Sequence, residues 1–269
     1  MDVLRRNNVT VSGSGPPVVF AHGFGCDQLV WHRVAPQFED SHTVVLFDYV
    51  GAGGSEREAY SSERYATLDG YADDVLEVCD ALGLERTAIV GHSVSGTICG
   101  IAAARRPSRF DRIVMVAPSP RFEDDPPDYR TGFSRDDLEG LLRLMDANFM
   151  GWATALAQMA VAPEVLSREL RESFCSADPL FLREFARATF LSDHREVLAR
   201  IDPPTLVLQC AMDDLVPVSV GRYIVEELPA GIFQLLDIPG HMPHMSHPHA
   251  VVDAIRRFLD APHEDLVAP

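Results

Sequence analysis

Short runs of consecutive apolar, β-branched residues recur along the chain. They alternate with longer stretches in which apolar residues return every three or four positions. The runs are Val18-Val19-Phe20-Ala21, Thr43-Val44-Val45-Leu46-Phe47, Ala88-Ile89-Val90, Ile113-Val114-Met115-Val116 and Thr205-Leu206-Val207-Leu208. A run that is apolar at every position suits a strand buried on both faces, as in a parallel sheet. Between the runs, 68–82 places Tyr71, Val75, Val78, Cys79 and Leu82 on one helical face. A second helix is predicted over 97–105, directly after the strand at Ala88-Ile89-Val90, and Pro107 stops it. Strand–helix–strand alternation predicts a doubly wound, mostly parallel α/β sheet with right-handed crossovers. The opening Val9-Thr10-Val11 alternates in polarity and predicts an edge hairpin.

The pattern changes over about 118–200, where no strand run appears and four helices are predicted. Ser134 with Asp137 forms a capping box ahead of Leu138, Leu141, Leu142, Met145 and Phe149. The stretch 152–161 is the second helix, Pro163 opens the third, and Asp178-Pro179 caps the fourth, which carries Phe181, Leu182, Phe185 and Phe190. The reading is therefore one domain, with a core of 1–117 and 201–260 and a helical lid of about 118–200. The lid is predicted to cover the carboxyl edge of the sheet, where open α/β sheets bind ligands. The tail 261–269 is predicted to be frayed.

Charge narrows the range of partners. With 23 Lys and Arg against 40 Asp and Glu, the net charge is −17, which argues against nucleic acid and anionic membrane surfaces. No apolar run approaches the roughly 18 residues of a membrane span. The first residues lack the apolar core of a secretory signal, so a cytoplasmic protein is expected. The five cysteines are scattered and form no CxxC pair, which argues against disulfides and a zinc site.

The chemistry concentrates at Gly91-His92-Ser93-Val94-Ser95-Gly96, which runs from a predicted strand into a predicted helix. This is the setting of a nucleophile elbow, where a strained turn presents a serine above the sheet and needs small residues two positions to either side. Gly91 meets that need, and Ser95 stands where glycine is common. A serine hydroxyl needs a base, and the chain order in such sites is serine, acid, histidine. His241, in Pro239-Gly240-His241-Met242-Pro243 after the apolar stretch 232–238, is the candidate base. Asp213 and Asp214 both follow the strand that starts at Thr205, and spacing alone does not separate them. His244 and His247 are assigned to packing or surface. The tetrahedral intermediate needs amide donors, and the backbone N–H groups of Val94 and of Phe24, in His22-Gly23-Phe24-Gly25, are the candidates. The segment 48–55 lacks the lysine of a phosphate loop and is predicted to be a structural turn.

Taken together, several segments resemble one branch of the α/β-hydrolases, the branch of the bacterial stress-response regulator RsbQ and the plant strigolactone and karrikin receptors. They are His22-Gly23-Phe24-Gly25-Cys26-Asp27-Gln28, Phe47-Asp48-Tyr49-Val50-Gly51, Gly91-His92-Ser93-Val94-Ser95, Ser119-Pro120-Arg121-Phe122, Ser192-Asp193-His194-Arg195 and Gly240-His241-Met242-Pro243-His244. The resemblance implies an α/β-hydrolase fold with a four-helix lid over a deep apolar pocket. It favours Asp213 as the acid and suggests Phe24, Phe122, Trp152 and Phe190 as pocket lining. It implies a serine hydrolase that cleaves a small, largely apolar ester or lactone without metal or organic cofactor. The alternative is a ligand-binding signalling module of the RsbQ type that engages a regulatory phosphatase-type protein. Cofactor-free peroxidation uses the same three residues. Dehalogenation is disfavoured because an aspartate would be expected in place of Ser93.

Overall fold

The computed structural model describes residues 2–266. The chain opens with a helical turn, α1 (Val3–Arg6), then β1 (Thr10–Gly13), β2 (Pro17–Ala21) and β3 (Thr43–Leu46). It continues with α2 (Leu68–Ala81), β4 (Thr87–His92), α3 (Val94–Arg105) and β5 (Phe110–Val116). Four helices follow before the next strand: α4 (Arg135–Ala147), α5 (Phe149–Ala160), α6 (Glu164–Ser176) and α7 (Pro179–Phe190). The core resumes with β6 (Thr205–Met212), α8 (Val218–Glu227), β7 (Gly231–Pro239), α9 (Pro243–Ser246), α10 (Pro248–Asp260) and α11 (His263–Leu266).

The seven strands form one sheet in the order β1-β3-β2-β4-β5-β6-β7. All neighbours run parallel except β1, which pairs antiparallel with β3. The predicted edge hairpin is thus corrected: the edge strand exists, but its partner is β3 and not the strand that follows it. Strand β2 has both edges occupied by β3 and β4, so the outer edge of β3 is where β1 can pair. The central strands are closed to solvent on both faces, β4 at every position, which accounts for their uninterrupted apolar runs.

Register is what assembles the site. Ala21 pairs with Gly91, so the segments leaving β2 and β4 emerge side by side. On the other flank Met212 pairs with Pro239, so the residues leaving β6 face those leaving β7. Helix α3 starts at Val94, three residues before the predicted start at Thr97, because the turn at Ser93 leads directly into it. After β3, the buried Asp48 carboxylate accepts from the Gln28 amide at 2.8 Å, Asn8 Nδ2 at 2.7 Å and the Gly54 amide at 2.9 Å. This carboxylate ties the turn that follows β3 to the loop that follows β2.

The helices of the insertion are set by their caps. Ser134 and Asp137 make the reciprocal capping box of α4. Asp178 accepts from the Leu180 and Phe181 amides at the start of α7. Ser134→Ala removes one of these caps on an exposed helix end and is expected to destabilise α4 by about 1 kcal/mol. Hydrogen exchange of the α4 amides checks this, with faster exchange in α4 and none in the sheet. The tail also departs from expectation. His263–Leu266 forms α11, and Leu266 packs against the core, because its side chain finds apolar surface there. Residues 267–269 of the predicted frayed tail lie outside the described residues. Among the described residues, no helix is long and apolar enough to cross a membrane.

Candidate active site

Ser93 has φ 54° and ψ −123°, a backbone conformation that L-residues rarely adopt. The turn is possible because residue 91 is glycine: a Cβ there would lie 2.4 Å from the Ser95 carbonyl oxygen. Strand and helix hold the turn from both sides, and the Ser93 amide donates to the Val116 carbonyl at 2.8 Å. Ser93 stands at the carboxyl edge of the sheet, and the residue as a whole is 6 % exposed.

His241 comes to it from the loop after β7. Its Nε2 lies 2.8 Å from Ser93 Oγ and its Nδ1 lies 2.8 Å from Asp213 Oδ2. A carboxylate can only accept, so Nδ1 carries the proton and donates to Asp213. Nε2 is then bare and accepts from the Ser93 hydroxyl. The other carboxylate oxygen, Oδ1 of Asp213, accepts from the Leu215 and Val216 amides at 2.9 and 3.0 Å, which fixes the carboxylate in place. Asp214 is exposed. The loop that carries His241 is anchored as well. The His241 amide donates to the Ala160 carbonyl at the end of α5, and the Gly240 amide donates to Met212, both at 2.7 Å.

The remaining histidines lie off the reacting atoms. His92 Nε2 donates to the His241 carbonyl at 3.0 Å. Burial, reinforced by the neighbouring His244 and His241, holds His92 well below the ordinary imidazole range. His244 is fully buried, with its ring 4.5 Å from that of Trp31 and 4.4 Å from that of His92. Burial pushes it down to about 3. His247 is exposed. Burial likewise raises the Cys26 thiol above the ordinary range, so at neutral pH it is protonated and a poor nucleophile. Among the described residues, no group of three or more His, Cys, Asp or Glu is arranged to hold a metal ion.

The Phe24 amide lies in the loop after β2 and the Val94 amide opens α3, and these two segments leave paired strands at Ala21 and Gly91. Among the described residues neither donates to a backbone acceptor outside the regular elements. Ser93 and His241 open onto a partly open apolar cavity walled by Phe24, Phe122, Leu156, Phe174, Phe190 and Leu215. The Phe190 ring packs edge-on against Phe24 at 5.4 Å and Phe122 at 5.1 Å.

Trp152 is corrected: it does not reach this wall. It is fully buried behind Phe24 and Phe174, at ring distances of 6.1 and 5.4 Å. The wall position on α5 is Leu156, one turn closer to Ala160 and the His241 loop. Leu156, Phe174, Leu215 and His92 were not singled out from sequence. The i, i+4 spacing of Trp152 with Leu156 and of Leu170 with Phe174 marks the inward faces of α5 and α6, and it was the available signal.

Comparison with known proteins agrees with this architecture. A family model described as alpha/beta hydrolase fold matches residues 16–248. The chain is 38 % identical over 250 residues to the strigolactone esterase RMS3 of Pisum sativum, covering 91 % of this chain and 94 % of the relative. It is 35 % identical over 269 residues to the karrikin insensitive 2 receptor CA of Petunia hybrida, covering 98 % of each. The solved structure of olei00960, a hydrolase from Oleispira antarctica, superposes with a TM-score of 0.95 at 43 % identity, covering 97 % of each chain. The chain belongs to the α/β-hydrolase family.

Proposed function

We propose that the chain is a serine esterase whose nucleophile is Ser93, whose base is His241 and whose orienting acid is Asp213, acting on a small, largely apolar ester or lactone. The carrying observation is the pair of 2.8 Å contacts that links these side chains at the mouth of an apolar cavity. His241 takes the hydroxyl proton as Ser93 Oγ attacks the substrate carbonyl, and Asp213 stabilises the imidazolium. The Phe24 and Val94 amides donate to the resulting oxyanion. Collapse breaks the ester bond, and the proton held by His241 goes to the departing alcohol oxygen. Water then enters, gives its proton to His241 and attacks the acyl–Ser93 ester. This frees the acid and restores the hydroxyl. The aromatic wall suits an apolar substrate because it offers contact surface and almost no hydrogen-bond partners.

A second reading is a ligand sensor with slow or single-turnover hydrolysis, engaging a regulatory phosphatase-type protein. It is favoured by the receptor name of one relative. One experiment addresses both readings. The protein is mixed with p-nitrophenyl acetate, p-nitrophenolate release is followed, and the Ser93 peptide is weighed by mass spectrometry at early times. An acetyl group on Ser93 with continuing release supports the esterase. An acetyl group on Ser93 with a stoichiometric burst and little further release supports the sensor. Release with no acetyl group on that peptide at any time overturns both.

A further inference from the structure

Ser95, which stands where the elbow pattern commonly has glycine, carries a hydroxyl that the mechanism above does not use. It is fully buried. Its Oγ lies 2.5 Å from the His22 carbonyl oxygen and 2.9 Å from the Tyr49 hydroxyl. A serine hydroxyl has one proton, and a carbonyl can only accept, so that proton goes to His22. The Tyr49 hydroxyl must therefore be the donor in the other bond. The direction of the chain is fixed: Tyr49 donates to Ser95, and Ser95 donates to the His22 carbonyl. Serial donors of this kind polarise and strengthen one another.

The acceptor sits two residues before Phe24. His22 is held by its ring as well, for its Nε2 accepts from the Tyr49 amide at 3.2 Å and its Nδ1 donates to the Gly23 carbonyl at 3.0 Å. Gly23 has no freedom toward the elbow, since a Cβ there would lie 2.4 Å from His92 Nδ1. Tyr49 is itself fixed by edge-on packing against His22, Phe47 and Tyr71 at ring distances of 4.9, 5.1 and 5.5 Å. Burial keeps its hydroxyl protonated far above the ordinary phenol range, so it stays a donor at working pH.

We infer that Ser95, oriented by Tyr49, is a positioning residue that straps the loop after β2 to the elbow and so holds the Phe24 amide where the oxyanion forms. This rests on the Ser93 hydrolysis proposed above, because the Phe24 amide has a task only where an oxyanion forms. It adds that the donor is aimed from the elbow's own helix.

The test is kinetic. Ser95→Ala removes the strap and leaves the small residue the elbow needs. For p-nitrophenyl acetate its kcat is expected to fall about tenfold with KM within about twofold, a fraction of the 10²–10³-fold loss seen when an oxyanion donor is deleted outright. Inhibition by a trifluoromethyl ketone, which forms the tetrahedral adduct, is expected to weaken in step with kcat. Binding of the matching ether, which has no carbonyl, is expected to stay unchanged. Tyr49→Phe is expected to lower kcat about threefold, and Ser95→Ala/Tyr49→Phe to be no slower than Ser95→Ala alone, because the two act through one bond to His22. Ser95→Ala with native kcat, or with losses that add to those of Tyr49→Phe, overturns the inference. If Ser95→Ala does not fold, Tyr49→Phe decides alone, an unchanged kcat overturning it. Ser93→Ala separates the two levels. Native turnover there sinks the esterase reading, whereas an inert Ser93→Ala beside a fully active Ser95→Ala sinks only the strap.

Discussion

Ser93→Ala is expected to lower kcat for p-nitrophenyl acetate on the order of 10⁶-fold, with KM little changed. The substitution removes the attacking oxygen and leaves the cavity and the amide donors, so binding survives and covalent chemistry does not. Residual catalysis of roughly 10³–10⁴-fold over water is the expected remainder from those donors. Because the three side chains act as a unit, Ser93→Ala/His241→Ala is expected to be no slower than Ser93→Ala. Asp213→Asn is expected to cost about 10⁴-fold. An amide facing His241 Nδ1 donates instead of accepting, which moves the imidazole proton to Nε2 and blocks acceptance from Ser93. Asp214→Asn is expected to leave kcat unchanged, since that side chain is exposed. Single-turnover and steady-state rates, corrected for spontaneous hydrolysis, check the series. Ser93→Ala retaining more than about 1 % of native kcat is incompatible with this arrangement.

The parts of this arrangement that are local in the chain were readable from it. Burial on both faces writes itself into β4 as an apolar run, and the passage from that strand into α3 marks Ser93. The parts set by distant neighbours were not. Spacing alone does not separate Asp213 from Asp214, and only the family resemblance favours Asp213; the contact that His241 makes with it depends on the Met212–Pro239 register, which has no signature in either segment alone. The alternation of Val9-Thr10-Val11 announced a strand but could not name β3 as its partner, because the open edge of β3 exists only once the sheet is assembled. Trp152 was displaced from the wall by one helical turn. The family resemblance suggests it as pocket lining, but the end of α5 that meets the His241 loop is the Ala160 end. His92 looked like one more residue of the elbow. That its ring supports the His241 backbone follows from a contact spanning 149 positions.

That buried histidine cluster makes the fold acid-sensitive. His92 and His244 are fully buried in the neutral form, His92 well below the ordinary 6.5 and His244 down to about 3, in both cases chiefly through burial. His22 is lowered in the same direction, also by burial first. In the unfolded chain these imidazoles titrate near 6.5, so below that pH the unfolded state binds protons that the folded state refuses. Their contribution to stability is therefore complete above about pH 6.5 and is lost as the pH falls toward the folded values. His244, down to about 3, costs a little over 1 kcal/mol per pH unit below 6.5, hence about 2 kcal/mol by pH 5, and His92 acts in the same direction. Against a net stability of roughly 5–15 kcal/mol, a loss of this kind is a measurable share of what holds the domain folded in mild acid. Urea melts between about pH 7.5 and pH 5 measure the slope. His244→Phe fills the same space against Trp31 and removes one titrating site whose ring nitrogens have no hydrogen-bond partner. It is expected to leave stability at pH 7.5 unchanged or slightly raised and to reduce the acid slope by a little over 1 kcal/mol per pH unit, the share of one site. A variant slope equal to the native one means that acid lability arises elsewhere in the fold.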